Sequence, residues 1–118
     1  MQRGKGAQLV VVLSHNGMDV DLKMASRVRG IDAIFGGHTH DGVPVAVPVK
    51  NAGGTTLVTN AGSNGKFLGV MDLEVKAGKV ANWRYRLLPV FSDMLKADPE
   101  MDALIAYLQG LGKHAPVN

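Results

Sequence analysis

Three of the four histidines in this chain, His15, His38 and His40, come directly after short apolar runs. Neutral imidazole is the side chain that most often binds metal ions in proteins. His38 and His40 are two residues apart, so on an extended segment their rings would point to the same side. The two glycines before His38 let the backbone turn sharply and leave room beside an ion. This pattern predicts a metal site, whereas His114, in a polar tail, is interpreted as a surface residue.

The elements that must position these histidines are two strands and a helix. Residues 9–13 form an apolar run rich in β-branched side chains, which predicts a strand buried on both faces. An amphipathic pattern over residues 18–29 predicts a helix, with Gly30 as its left-handed cap. A second apolar run at residues 31–35 predicts another strand. Strand, helix and strand in this order indicate a parallel crossover, which places both histidine turns at the carboxyl edge of a sheet, where ligands bind.

The second half of the chain alternates between apolar and polar residues. Residues 43–49, which contain two prolines, predict a loop or an edge segment, and residues 55–59 predict a strand. Residues 67–76 and 83–87 alternate on either side of an Ala-Gly turn, which predicts a β-hairpin with one buried face. A final helix is expected from Asp98, with an apolar stripe that needs a partner surface.

Two carboxylates and one loop are candidates for roles around the metal. Asp32 and Asp41 are near the histidines in sequence, and either could orient an imidazole. Asn60, Gly62 and Asn64 lie in a loop after a strand, where small residues could admit a substrate close to the backbone. The alternative for this loop is that its glycines only form the turn.

Composition excludes several classes of protein. The chain has 118 residues, of which 46% are apolar and 19% charged, and this balance is typical of a globular domain. It has no cysteine, so disulfides and thiolate zinc sites are excluded. Lys and Arg are scattered rather than clustered, so we expect no nucleic-acid partner. No apolar run approaches the roughly 18 residues of a membrane span, so we expect no membrane segment.

Two sequence segments carry a resemblance to a known family. Gly36-Gly37-His38-Thr39-His40, together with Leu13-Ser14-His15, resembles the C-terminal signature of the calcineurin-like metallophosphoesterases, and more narrowly their 5′-nucleotidase branch. Residues 14–24 and 60–70 are similar to the SoxB thiosulfohydrolases of bacterial sulfur oxidation. The resemblance implies an α/β fold, the second half of a four-layer α/β-sandwich domain with a βαβ unit, a β-hairpin and a C-terminal linker helix. Residues 1–93 would be that half-domain, and residues 94–118 a helix leading toward a further domain.

The resemblance also implies a site and a reaction. His15 and His38 match the ligands of one metal ion, and His40 matches a ligand of a second; the pair of divalent ions would be manganese, with zinc as the alternative. The implied reaction is hydrolysis of sulfate from a cysteine S-thiosulfonate on the SoxYZ carrier protein in the periplasm. The bridging carboxylate and the catalytic histidine of the family have no match here and are expected upstream. We therefore predict no catalytic residue, weak metal binding and no turnover for the isolated chain.

Two alternatives remain open from the sequence. A 5′-nucleotidase or a 2′,3′-cyclic-nucleotide phosphodiesterase of the same superfamily would share each of the three histidine ligands. Alternatively, the chain is an interaction module without catalysis, in which the stripe of the last helix forms the interface. Metal titration of histidine variants separates the module from the enzymes.

Overall fold

The computed structural model describes residues 2–93 of the chain. The helix expected from Asp98, and with it the second proposed segment, lies outside the described residues. No helix among residues 2–93 is long and apolar enough to span a membrane. The elements, in chain order, are a 3-10 turn at Gln2–Lys5, β1 at Val11–Leu13, α1 at Met18–Arg27, β2 at Ala33–Gly36, β3 at Val47–Asn51, β4 at Gly54–Asn60, β5 at Phe67–Lys76 and β6 at Lys79–Pro89.

The first four strands form one mixed sheet with the order β1-β2-β4-β3. β1 pairs with β2 in parallel, and β2 pairs with β4 in parallel. β3 is antiparallel to β4 and forms an edge of the sheet. The parallel crossover predicted from the sequence is therefore confirmed. The carboxyl ends of β1, β2 and β4 lie at one edge, and each leads into a polar loop.

The sheet is packed between the helix and the β-hairpin. Ile34 and Val58 are fully buried and form a cluster with Ala25 of α1. The alternating residues Ala33 and Leu57 are also buried and pack on the opposite face, against side chains of β5 and β6. Because β2 and β4 are covered on both faces, consecutive residues in them are apolar. The result is a mixed α/β fold in three layers: helix, four-stranded sheet and two-stranded sheet.

Two details of the predicted βαβ unit are wrong. The first strand is not buried on both faces: Leu13 is 83% exposed, because β1 is an edge strand with β2 as its partner in the described part of the chain. The helix ends at Arg27, two residues early, because Val28 has extended backbone angles while its N–H still bonds the Met24 carbonyl. Gly30 has a φ of 91°, but it lies beyond the helix end.

The hairpin follows the prediction closely. β5 and β6 pair from Phe67 with Pro89 to Lys76 with Lys79, with one irregularity at Glu74/Val75. Ala77 and Gly78 both have positive φ, 53° and 73°, which matches the twist of a tight hairpin. Two aromatic side chains of the hairpin pack on the core. Trp83 and Tyr85 contact the cluster around Leu57.

Candidate metal centre

The loops after β1, β2 and β4 bring the predicted ligands to one edge of the sheet. The rings of His15 and His38 are in edge-to-face contact, with their centroids 5.1 Å apart and their planes at 69°. The two residues are 23 positions apart in sequence and belong to different loops, so only the parallel pairing of β1 with β2 brings them together. Both side chains are exposed, which leaves the rings open to a ligand from solvent.

Glycines allow this close approach. A Cβ atom on Gly37 would lie 3.2 Å from Nδ1 of His15, which is tighter than most real contacts. A Cβ atom on Gly17 would lie 3.7 Å from Cδ2 of His38, and Gly17 has a φ of 103°. Any larger residue at position 37 would crowd the imidazole of His15. Gly37 therefore leaves room for the His15 ring, and its predicted role beside an ion stays a prediction.

His38 and His40 both have left-handed backbone angles, with φ of 77° and 62°. Such angles are uncommon for residues other than glycine, and strained backbone of this kind is concentrated at functional sites. The segment is therefore not extended, which was the premise for expecting the two rings on the same side; a shared direction of the rings stays a prediction. Within residues 2–93, no three His, Asp or Glu side chains are grouped closely enough to hold a metal ion. His40 thus does not complete a three-residue cluster with the contacting pair.

Thr39 connects the two histidine loops. Its hydroxyl accepts a hydrogen bond from the backbone N–H of Met18, the first residue of α1, at 3.0 Å. The same hydroxyl donates to the carboxylate of Asp41. Asp41 was a candidate for orienting an imidazole, and its carboxylate instead accepts from Thr39. Its backbone carbonyl accepts a hydrogen bond from Gly62 N–H at 2.8 Å, which ties in the third loop.

Beneath these loops lies the buried carboxylate of Asp21, in the first turn of α1, which was not among the candidate site residues. Asp21 is fully buried, and one of its oxygens accepts a hydrogen bond from the Ser14 hydroxyl at 2.6 Å. Its other oxygen has no hydrogen-bond partner among the described residues and faces Gly36. The signal was present in the sequence: Asp21 lies four residues before Ala25, on the buried face of α1. Buried carboxylates are rare unless they have partners, so this position is unusual.

Of the three predicted substrate-adjacent residues, Asn60 is the last residue of β4, and Gly62 and Asn64 lie in the loop that follows. Asn60 is 1% exposed; its side-chain N–H₂ lies 3.4 Å from the Gly37 carbonyl, and its Oδ1 has no hydrogen-bond partner in the described part of the chain. Gly62 has a φ of 76°, and a Cβ there would lie 3.0 Å from the Phe67 ring. Gly62 is therefore needed for the turn itself. Asn64 is exposed, with a φ of 56°. A role of these residues in substrate binding stays a prediction.

Asp32 lies at the opposite end of the sheet from the histidines, so its proposed role in orienting an imidazole is wrong. Its carboxylate accepts hydrogen bonds from Arg3 and from Val10 N–H and forms an ion pair with Arg3. The reason is that Asp32 precedes β2 whereas the histidine loop follows it. A cavity of about 850 Å³ lies at this amino edge, where Arg3, Asp32, Lys79 and Trp83 are among its lining residues. The cavity is remote from the histidine pair.

The structure alters the pKa of Tyr85. Burial raises the pKa of its phenol above the ordinary value near 10, and the neighbouring Thr59 hydroxyl offsets this only in part. The phenol oxygen is buried and makes no hydrogen bond within the described residues. Tyr85 is therefore neutral at ordinary pH.

Comparison with solved structures supports the fold and the family resemblance. The sulfate thiohydrolase SoxB of Thermus thermophilus, solved in complex with glycerol, matches 96% of this chain with 39% identity and a TM-score of 0.68. A 5′-nucleotidase precursor, also from Thermus thermophilus, matches 94% of this chain with 32% identity and a TM-score of 0.70. The chain spans 20% of the first protein and 25% of the second.

Curated proteins give the same relationship. The trifunctional nucleotide phosphoesterase protein YfkN of Bacillus subtilis is 38% identical over 62% of this chain, and the chain spans 5% of its length. The 5′-nucleotidase of Diplobatis ommata is 29% identical over 64% of this chain, which spans 16% of it. No family model matches. In sequence and in fold, this chain is related to hydrolases of the 5′-nucleotidase and SoxB type and corresponds to one segment of them. The predicted resemblance and the predicted fold class are confirmed.

Proposed function

We propose that this chain provides the histidine-bearing part of a dinuclear-metal hydrolase that acts, as SoxB does, in thiosulfate oxidation. The observation that carries the proposal is the contact between the His15 and His38 rings at the carboxyl edge of the sheet. The substrate would be a cysteine S-thiosulfonate on a SoxYZ carrier protein, and the location would be the periplasm. The metal ions would be manganese, with zinc as the alternative.

The geometry of the histidine pair fits one divalent ion. Two imidazoles that share an ion bind it through nitrogen at about 2.0–2.1 Å each for zinc, so their rings must approach one another closely, as they do here. The edge-to-face arrangement also keeps the faces of the two rings from stacking, and both rings are exposed. His40 would then serve the second ion. The remaining ligands would come from polypeptide outside this chain.

A pair of bound divalent ions would supply charge stabilisation and an acidic bound water for hydrolysis. The residues of this chain would contribute by position and access. His15 and His38 present neutral nitrogen donors from loops anchored on parallel strands. Gly37 keeps the space beside His15 open, and the exposed edge admits a bulky substrate such as a carrier-bound cysteine.

Among the solved structures, sequence identity favours SoxB over a nucleotidase by a small margin. The Thermus SoxB is 39% identical to this chain and the Thermus 5′-nucleotidase precursor 32%. The nucleotide phosphoesterase YfkN, at 38%, supports the alternative that the substrate is a nucleotide. In a polypeptide that joins this chain to the rest of such a domain, sulfate release from a cysteine S-thiosulfonate peptide would support the SoxB assignment. Phosphate release from AMP, without sulfate release, would support the nucleotidase.

Metal binding by the chain itself is the direct test. We expect zinc, the tighter-binding probe, to bind weakly to the 118-residue chain in calorimetric titration, and manganese more weakly still. His15→Ala and His38→Ala should each weaken zinc binding by about tenfold or more. His114→Ala is the matched control and should leave it unchanged. If zinc does not bind, or binds equally to all three variants, the proposal fails and the interaction-module alternative gains support.

The isolated chain should bind metal without turning over substrate. We expect no sulfate or phosphate release from the chain with manganese, because it spans only 20% of the Thermus SoxB and offers three candidate ligands for two ions. Measurable hydrolysis by the 118 residues alone would contradict this part of the proposal.

A further inference from the structure

We propose that Thr39 is a positioning residue, which locks the loop of His38 onto the start of helix α1 and so sets the distance between the His15 and His38 rings. The consequence for metal binding rests on the proposed function above, whereas the effect on ring geometry does not. Thr39 lies between the candidate metal ligands His38 and His40 in sequence, and its own side chain makes hydrogen bonds within the protein.

The hydroxyl of Thr39 caps a helix that has no cap of its own. Gly17 occupies the N-cap position of α1 and offers no side-chain hydrogen bond. Thr39, 21 residues away, accepts the N–H of Met18 at 3.0 Å in its place. An N-cap hydroxyl normally belongs to the residue that precedes the helix and contributes about 1 kcal/mol. Here the cap comes from another loop, so it links two loops as well as satisfying a helix N–H.

The orientation of this hydroxyl is determined on both sides. Its oxygen accepts from Met18 and its proton goes to the Asp41 carboxylate. The backbone N–H of Thr39 also bonds the Gly37 carbonyl at 3.0 Å. Because its hydroxyl both donates and accepts hydrogen bonds and its backbone N–H is also bonded, Thr39 has little conformational freedom. The segment that carries His38 is therefore held at a defined place relative to α1.

The methyl group of Thr39 has a separate contact with the loop that carries His15. A Cβ atom placed on Gly17 would lie 2.9 Å from Cγ2 of Thr39, so this methyl group packs directly on the bare backbone of Gly17. Threonine thus uses both of its branches: valine would keep the methyl contact and lose the three hydrogen bonds of the hydroxyl, which join it to Met18, Asp41 and, at 3.5 Å, the Asn60 side chain, whereas serine would do the reverse.

The backbone on each side of Thr39 needs such restraint. His38 and His40 both have positive φ, a conformation that costs of order 1–3 kcal/mol and persists only where surrounding contacts enforce it. Thr39 is the residue between them. Without its hydrogen bonds we expect the segment to relax toward ordinary φ values, which would move the His38 ring away from His15.

The test uses nuclear magnetic resonance on the full 118-residue chain. The His15 and His38 ring protons should give nuclear Overhauser contacts in the native chain. Thr39→Val should lose them, whereas Thr39→Ser should retain them because it keeps the hydroxyl. Thr55→Val is the matched control: it makes the same change at an exposed position at the other end of β4 and should have no effect. Zinc affinity should fall about tenfold in Thr39→Val alone.

The outcomes separate this proposal from the proposed function. Native ring contacts in a folded Thr39→Val chain would overturn the positioning role. Loss of those contacts, in a chain that binds no zinc even as wild type, would support the positioning role and contradict the metal function. The amide signals of β5 and β6 report whether Thr39→Val folds. If it does not, hydrogen exchange at the Met18 amide of the native chain decides, since a rapidly exchanging amide would refute the cap.

Discussion

Gly36→Ala tests whether Asp21 lies buried against the turn that carries His38. Gly36 is the last residue of β2, and a Cβ atom there would lie 2.5 Å from Oδ2 of Asp21 and 3.2 Å from the backbone carbonyl of Thr59. The first distance is shorter than real Cβ atoms show, and the second neighbour is backbone that cannot rotate away. The added methyl group must therefore displace the buried Asp21 carboxylate and also push the backbone at Thr59 by a few tenths of an ångström.

The magnitude follows from two opposing effects. Forcing a methyl group into a packed site costs about 1–3 kcal/mol. Replacing glycine by alanine within a strand returns about 0.5–1 kcal/mol of chain entropy. We therefore expect Gly36→Ala to lower the free energy of unfolding by about 1–2 kcal/mol. We also expect the His15–His38 ring contact to weaken, because the displaced turn carries His38.

Gly42→Ala is the matched control for this effect. Gly42 lies in the same segment after β2, and a Cβ there would meet the Phe67 ring at 3.5 Å, an ordinary contact. We expect this variant to be neutral or more stable by a few tenths of a kcal/mol up to about 1 kcal/mol. Urea denaturation followed by circular dichroism measures both, and an unchanged m-value confirms that stability alone has changed.

A double-mutant cycle assigns the cost to Asp21. If the clash is with its carboxylate, Gly36→Ala should cost less in an Asp21→Ala background, with a coupling energy of about 0.5 kcal/mol or more. Equal costs in the two backgrounds would show that Asp21 is not the neighbour that crowds position 36. Equal stabilities of Gly36→Ala and Gly42→Ala would refute the burial of this turn altogether.

Two further predictions concern charged and titrating groups. Tyr85→Phe should leave stability unchanged or raise it by up to about 1 kcal/mol at pH 7, because the buried phenol oxygen makes no hydrogen bond in the described part of the chain. Burial raises the folded-state pKa of Tyr85, so its pH-dependent contribution to the free energy of unfolding is fully present below about pH 10 and is lost as pH rises through that raised pKa. Urea titrations should therefore show wild type losing stability faster than Tyr85→Phe above about pH 10. Parallel curves for the two proteins would contradict the pKa shift. Arg3→Ala should cost about 1–3 kcal/mol, because Arg3 pairs with Asp32, which is 12% exposed, and also donates to the carbonyls of Gly30 and Gln8. Arg84→Ala is the control: it removes an ion pair with Asp72 in which the two side chains are 69% and 59% exposed, so the free energy of unfolding, measured by thermal denaturation, should fall by less than about 1 kcal/mol. Similar losses of stability in the two arginine variants would show that the Arg3 contacts contribute little.

Much of the fold could be predicted from the sequence because its signals are local. The β-branched runs, the alternation across the hairpin and the Ala77-Gly78 turn each act within a few residues, and the structure confirms the elements that they predict. The errors are at boundaries and edges. The helix stops at Arg27 rather than near Gly30, since the chain must extend there to enter β2. The apolar neighbours of Leu13 in sequence predict that it is buried, but it is exposed in the structure, because burial depends on what lies beside β1.

By itself the sequence determined that three histidines follow strand ends and that the fold is α/β, because both depend on residue types over short spans. Only the tertiary structure decided which imidazoles meet. His15 and His38 are brought into contact by the pairing of β1 with β2, and the left-handed backbone at His38 and His40 replaces the extended segment that the sequence spacing suggested. The helical spacing of Asp21 and Ala25 places both on the buried face of α1, but only the tertiary structure showed that Asp21 packs against Gly36 and accepts from Ser14.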